Sequence, residues 1–368
     1  MLNLDSIIAE YENCNVEGDL IKSYTTIKDE YLALKNGVGV KVCYLNNKLL
    51  LKGNDVFDYL NRISTNSVLN LKEFEHINTL FTNEKGRLID RTTLLKLNGY
   101  NILVGGFLAD KKLHTWIDRY IINEDITIDD VTDKIMIFEL IGKQTESFLS
   151  LLIDDKFDTL NEKNILQCNV EGVEFLALRK NEVNGFKKYW ILFGSNDLKM
   201  AYNFFMNNKS FFDLKFVGED AYNIFRVENG IPATPNEISS RVNPHEIKIL
   251  NDVSFTKGCY IGQEVIARLD TYDKVQRSLT GLLFENGANF EGITEELKLL
   301  NSEKKEVGFI TSLVKSELYN KYAALGFIKK DYLELGSSYD VIVNNEIIAK
   351  AYITELPIKY ENIYKNRG

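Results

Sequence analysis

Residues 79–104 read TLFTNEKGRLIDRTTLLKLNGYNILV, and this stretch decides the fold class. Thr79 to Phe81 and Leu88 to Leu97 have the β-branched and aliphatic content of strands. Asn83-Glu84-Lys85-Gly86 joins them, and Gly86 suits a turn position that needs positive φ. Asn98-Gly99 is a strong two-residue hairpin signal, with Tyr100 to Val104 as the third strand.

Working outward, the pattern alternates between strand and helix. Lys48 to Leu51 reads as a short strand ending at Gly53. Asn54 then serves as the N-cap of a helix whose apolar face is Val56, Phe57, Leu60 and Ile63. Downstream, Ala109 to Ile122 is an amphipathic helix with Leu113, Trp116, Ile117 and Tyr120 on one side. The mixture continues to about Val217, giving antiparallel sheets with helices packed on one face, an α+β arrangement. From Gly230 to Asp252 the pattern breaks. Three of the four prolines, Pro232, Pro235 and Pro244, fall there and point to a long ordered loop. After Arg277 come short strands at Ser278–Phe284, Val307–Val314, Ala323–Ile328, Tyr339–Val343 and Ile347–Thr354. Five or six such strands predict a small β-barrel. The expected division is 1–275 for the α+β region and 276–368 for the barrel.

Composition sets the outer limits. The 368 residues carry 44 Lys plus Arg against 53 Asp plus Glu, a net charge of −9. An acidic chain repels a phosphate backbone at long range, so nucleic acid is not an expected partner. The longest uncharged apolar stretch, Ile102 to Ala109, is far too short to span a bilayer, so no membrane partner is expected. The N-terminus lacks a basic segment and carries Asp5 and Glu10, so the expected location is the cytoplasm. Cys14, Cys43, Cys168 and Cys259 form no C-x-x-C pair, and His76, His114 and His245 are far apart, so no protein-built metal site is expected.

The chemistry-bearing segment is Lys257-Gly258-Cys259-Tyr260-Ile261-Gly262-Gln263-Glu264, followed by a short helix from Val265 to Leu269. Lys257 places a positive charge near the Cys259 sulfur, and a helix start near Gly262 offers free N–H groups. Both favour thiolate over thiol. Gly258 and Gly262 leave room for close approach of a ligand or backbone. The bland alternative is a small buried hydrophobe.

This octapeptide resembles the signature of the YgfZ family, folate-dependent proteins of iron–sulfur metabolism. Upstream, Phe225-Arg226-Val227-Glu228-Asn229-Gly230-Ile231-Pro232 resembles that family's R-x-E-x-G-I-P segment. The rest is similar to the wider superfamily of the glycine-cleavage T-protein: Gly53-Asn54-Asp55 with Ser64-Thr65-Asn66, Lys85 to Asp90, Gly308 to Ser312, and Ala324-Leu325-Gly326. The resemblance covers about residues 24 to 358. It implies two mixed α/β lobes around a central folate pocket plus a C-terminal β-barrel. It also implies tetrahydrofolate binding and, in the YgfZ branch, support of iron–sulfur enzymes, tRNA-modifying ones included, through the motif cysteine. On that basis Cys259, Lys257 and Asp90 are the candidate catalytic residues. Arg226, Glu228, Gly258, Tyr260 and Gln263 are the candidate folate contacts.

Two departures separate this chain from the methyl-transferring relatives. Those carry two acids after the glycine turn, whereas here Asp90 is followed by Arg91. The acid that recognises the pterin ring has no clear counterpart in Arg179 to Lys187, where Glu182 is the weak candidate. Arg226 and Glu228 have an alternative reading as an internal ion pair. His245 reads as a surface residue or a base, and Trp116 and Trp190 as core. Three functions follow: folate-dependent support of iron–sulfur enzymes, tetrahydrofolate-dependent aminomethyl transfer or demethylation, and a non-catalytic scaffold. Whether the chain is an enzyme stays open at this point, with one-carbon transfer as the candidate activity.

Overall fold

The structure is a computed structural model that describes residues 5–107, 112–181, 187–272, 274–316 and 318–360. The chain divides into two compact units. The first comprises Met1–Thr82, Ile89–Tyr222 and Asp252–Ile261; the second comprises Asn83–Leu88, Asn223–Asn251 and Gly262–Gly368.

The first unit opens with α1 (Asp5–Ile8) and a hairpin of β1 (Asn15–Glu17) and β2 (Leu20–Ser23). Then come α2 (Ile27–Asn36), β3 (Val38–Val42), β4 (Asn46–Lys52) and α3 (Val56–Ile63). The stretch quoted above supplies β5 (Glu75–Thr82), β6 (Leu88–Leu97) and β7 (Tyr100–Phe107). They are followed by α4 (Lys112–Asp118), β8 (Thr127–Asp130), β9 (Ile135–Ile141) and α5 (Thr145–Ile153). The remaining elements are β10 (Ile165–Val170), β11 (Val173–Asn181), β12 (Lys187–Gly194), α6 (Leu198–Asn207), β13 (Leu214–Val217) and the first residues of α7 (Glu219–Glu228), which from Asn223 on belongs to the second unit.

These strands form a five-stranded sheet of order β5-β6-β7-β4-β8 and a six-stranded sheet of order β10-β11-β12-β9-β3-β13. The helices cover the outer faces. Leu60, Ile63, Leu113 and Trp116 of α3 and α4 pack on Leu49, Leu94 and Leu103 of the smaller sheet. Phe148, Leu152, Tyr202 and Phe205 of α5 and α6 pack on Val40, Phe138 and Ile191 of the larger. The inner faces bury Leu95, Ile102 and Val104 against Ile137, Leu178, Trp190 and Leu192. Each strand alternates between the two layers, as the two-residue period of a strand requires. One pair, β13 with β3, is parallel, which the expectation of antiparallel sheets missed.

Local differences have local causes. The N-cap of α3 is Asp55, not Asn54, because Asn54 bonds the Asp125 carboxylate through both its backbone N–H and its side-chain amide. The first part of the expected helix, 109–111, lies outside the described residues.

The second unit holds α8 (Gln263–Tyr272) and a closed barrel. Its strands are β14 (Arg277–Phe284), β15 (Lys298–Leu300), β16 (Glu306–Ser316), β17 (Lys321–Lys329), β18 (Ser338–Val343) and β19 (Glu346–Thr354). Around the barrel the order is β14-β17-β16-β15-β18-β19, and Leu282, Leu299, Val341 and Ala351 fill its interior. The mixed α/β fold with a terminal barrel is the one read from sequence; β15, at three residues, was too short to show a period. Asn344 and Asn345 turn the last hairpin with φ of 50° and 69°, the left-handed pair that asparagine tolerates.

Candidate functional site

Residues Asp252 to Ile261 of the first unit are sewn onto the segment after α3. Thr65 Oγ1 donates to the Asp252 carbonyl at 2.6 Å, and Ser254 N–H donates to the Thr65 carbonyl at 3.0 Å. At the other end, Ile261 N–H donates to Arg62 O, while Thr82 Oγ1 donates to Ile261 O at 2.7 Å. Lys257 pins the middle by donating to the carbonyls of Ser64 and Asn66, each at 2.7 Å. Burial pushes its pKa down to about 8. The Lys257 ammonium is thus held by main-chain oxygens and lies over the Tyr260 ring at 5.1 Å. Tyr260 is itself buried, which pushes its hydroxyl up to about 12.

The stapled segment leaves Gly258 and Cys259 in solvent. Of the four free cysteines, Cys259 is the exposed one; Cys43 and Cys168 are buried and Cys14 is partly covered. A Cβ on Gly258 would meet no atom within 4 Å, so the space that glycine leaves is open. Gln263 is the first residue of α8, in the second unit, and is half-buried.

Asp90 lies on the helix-covered side of its sheet. Its Oδ1 accepts the Arg91 N–H at 2.8 Å and its Oδ2 the Gly106 N–H at 3.0 Å. Gly105 makes this possible: a Cβ there would stand 2.6 Å from Asp90 Oδ2 and 2.9 Å from Leu113 Cδ2. Gly105→Ala should therefore destabilise the chain by about 1–3 kcal/mol, the usual cost of overpacking. An unchanged urea midpoint would show that the carboxylate is not confined.

Alternation along β6 puts Arg91 and Thr93 on the inner face. Arg91 Nε donates to Asp252 Oδ2 at 2.6 Å, and both side chains are largely buried. Thr93 accepts from Lys180 Nζ at 2.6 Å and donates to Asn78 Oδ1. Lys180 sits 3.6 Å from the centroid of the Trp190 ring. The Trp190 indole N–H donates to Glu139 Oε2 at 2.8 Å, and Glu139 also holds Lys188 and the Tyr222 hydroxyl. Nearby on β5, burial and the Lys180 charge push His76 down to about 3, so its ring is neutral. Sequence reading missed this polar face. Its trace was Lys180, Lys188 and Glu139 at inward positions of strands whose other inward residues are apolar.

In the second unit, Arg226 and Glu228 have other partners than one another. Arg226 Nη1 donates to Glu237 at 3.0 Å, Nη2 to Ser312 Oγ and Nε to Asn223. Glu228 accepts the Tyr360 hydroxyl at 2.7 Å, and its carbonyl accepts Ile358 N–H. His245 is buried, not at the surface, because its Nε2 meets the Ile266 carbonyl at 3.0 Å. Arg87 donates to Glu246, which also binds Arg277. Glu182 lies outside the described residues.

Residues 11–257, more than half of the chain, match the model of the GCVT N-terminal domain. The chain belongs to this family. Its relatives include the aminomethyltransferase of Caldanaerobacter subterraneus, 25% identical over 348 residues, covering 93% of this chain and 89% of the relative. The aminomethyltransferase of Thermoanaerobacter pseudethanolicus is 22% identical over 355 residues, covering 93% and 90%. The crystal structure of glycine cleavage system aminomethyltransferase T from Bartonella henselae superposes with a TM-score of 0.80. It covers 96% of each chain at 14% identity, a likeness of fold. No helix among the described residues is long and apolar enough to cross a membrane.

Proposed function

We propose that this GCVT-family chain binds tetrahydrofolate as a substrate and transfers a one-carbon unit to or from it, as an aminomethyltransferase does. The observation that carries this reading is the buried polar face between the two sheets of the first unit. It offers a flat ring, Trp190, and the carboxylates of Glu139 and Asp252. It also offers the donors Lys180, Lys188, Arg91 and Tyr222. A planar heterocycle with donors and acceptors on its edges needs this mixture of stacking surface and fixed polar groups. The family and the full-length likeness to aminomethyltransferases support the same class. In this reading Arg226 and Glu228 serve folate through the structure they hold, and the protein works in the cytoplasm.

Titration with tetrahydrofolate tests the reading directly. Saturable quenching of tryptophan fluorescence is expected, because Trp190 belongs to the proposed site. No saturable change, backed by calorimetry showing no heat, would end the folate reading.

The exposure of Cys259 favours a second role in the same protein, folate-linked support of iron–sulfur enzymes through the thiol. Cells lacking their own such protein should regain the activity of a radical iron–sulfur tRNA-modifying enzyme with the wild-type chain and not with Cys259→Ser. Equal rescue by both would leave Cys259 without a chemical role.

A further inference from the structure

We propose that Asp252 is the carboxylate that carries the proton in the one-carbon transfer, with Arg91 as its positioning residue. The inference rests on the transfer reading above. Asp90 is the acid that sequence favours, yet its two oxygens are each taken by a main-chain N–H, and Gly105 and Leu113 close around it on the helix side. Main-chain donors cannot swing away, so that carboxylate is fixed in a structural role.

Asp252 differs in each respect. Its Oδ2 accepts from a side chain, the Arg91 guanidinium, through Nε–H at 2.6 Å. It stands on the inner face that Arg91 shares with Thr93, and Thr93 leads through Lys180 to Trp190. Its backbone is clamped by Thr65 at the start of the segment that continues to Lys257 and Cys259. A guanidinium holds a carboxylate in place while leaving lone pairs for a second donor.

The chemistry balances without any oxidant. Writing the folate nitrogen as N–H and the donor as X–CH2–NH2, transfer forms N–CH2–NH2 and X–H. The N–H and X–C bonds break, the N–C and X–H bonds form, and Asp252 passes the proton from nitrogen to X. Attack of the neighbouring folate nitrogen on N–CH2–NH2 then breaks its own N–H and the C–NH2 bond, releases ammonia and closes 5,10-methylenetetrahydrofolate; carbon keeps its oxidation level throughout.

The test runs the reaction in reverse on the full-length chain, with 5,10-methylenetetrahydrofolate, ammonium and a small dithiol as X–H. Tetrahydrofolate release is followed, and folding is checked by circular dichroism. Asp252→Asn and Asp252→Ala should lose about 100-fold or more in turnover, the usual worth of general acid–base catalysis. Fluorescence affinity for tetrahydrofolate should fall far less than turnover in Asp252→Asn, which keeps an oxygen acceptor at the same place. Asp252→Ala should recover activity in tens of millimolar formate, which a structural role would not allow, and Arg91→Lys should fall between. A folded Asp252→Asn with near-wild-type turnover overturns the inference alone, as does loss of turnover in Asp252→Ala that formate does not restore. A wild-type chain with no turnover overturns the transfer reading and this inference with it.

Discussion

Glu237→Ala should lower the unfolding free energy by about 3–5 kcal/mol, the cost of leaving a buried charge without its partner. Glu237 is fully buried in the loop that precedes the barrel strands. Its Oε2 accepts from Arg226 Nη1 at 3.0 Å and from the Ala233 N–H at 3.1 Å. Its Oε1 accepts from the hydroxyls of Thr311 and Ser312, each at 2.6 Å. Alanine would strand the Arg226 guanidinium and three further donors at once. Glu237→Gln keeps the shape and some of these bonds, so its loss should be smaller. The double change Arg226→Met with Glu237→Leu should recover much of the deficit, since apolar groups of similar volume often replace a buried pair at little cost. Urea unfolding ranks these proteins, and adding the single variants Arg226→Met and Glu237→Leu closes the cycle that gives the coupling energy. A loss below about 1 kcal/mol for Glu237→Ala would mean that water or movement satisfies Arg226, and that the pair does not hold the loop.

Lys48→Met should act in the opposite direction, raising stability by about 3 kcal/mol at pH 7. Lys48 is fully buried on β4, and among the described residues its ammonium donates to the carbonyls of Tyr44 and Thr132 at 3.3 and 3.4 Å. Burial pushes its pKa down to about 8 from an ordinary 10.5. The unfolded chain therefore binds this proton more tightly than the folded one. Below about pH 8 the penalty on the folded state is complete; between pH 8 and 10.5 it fades, and wild-type stability gains with rising pH. Methionine has no such penalty, so its advantage should be largest at pH 6–7 and shrink to roughly 2 kcal/mol by pH 9. Taking the difference between the two proteins removes groups that Lys48 does not influence; Cys43 is coupled to Lys48, but burial pushes it up to about 12, above the pH range compared. A pH-independent difference would show that Lys48 reaches solvent as it is protonated. The two orphaned carbonyls reduce the gain at all pH values alike, so the slope is the diagnostic.

Much of the fold was readable because it depends on short-range signals. Asn98-Gly99 and Asn344-Asn345 dictate hairpins through backbone conformations that few other residues adopt. The strands around them carry a two-residue apolar period, and the proline-rich stretch from Gly230 announced a loop. The structure leaves Cys259 exposed, which sets aside the buried-hydrophobe reading of that position. What failed at this level failed for stated reasons. β15 is too short for a period, and the parallel β3–β13 pair joins residues far apart in the chain. His245 is buried because a carbonyl of α8 receives it, a partner that no local rule supplies.

The amino-acid sequence by itself determined the element types, the tight turns, the barrel and the segment that carries the thiol, because propensity, turn chemistry and periodicity act over a few residues. Only the tertiary structure decided which charged groups meet. It gave Arg226 to Glu237, Lys257 to the carbonyls of Ser64 and Asn66, and Arg91 to Asp252. It also turned Asp90 toward the helices and Arg91 toward the opposite sheet. Those pairings join positions up to 193 residues apart, and a charge buried on folding takes whichever partner the packed layers bring within reach.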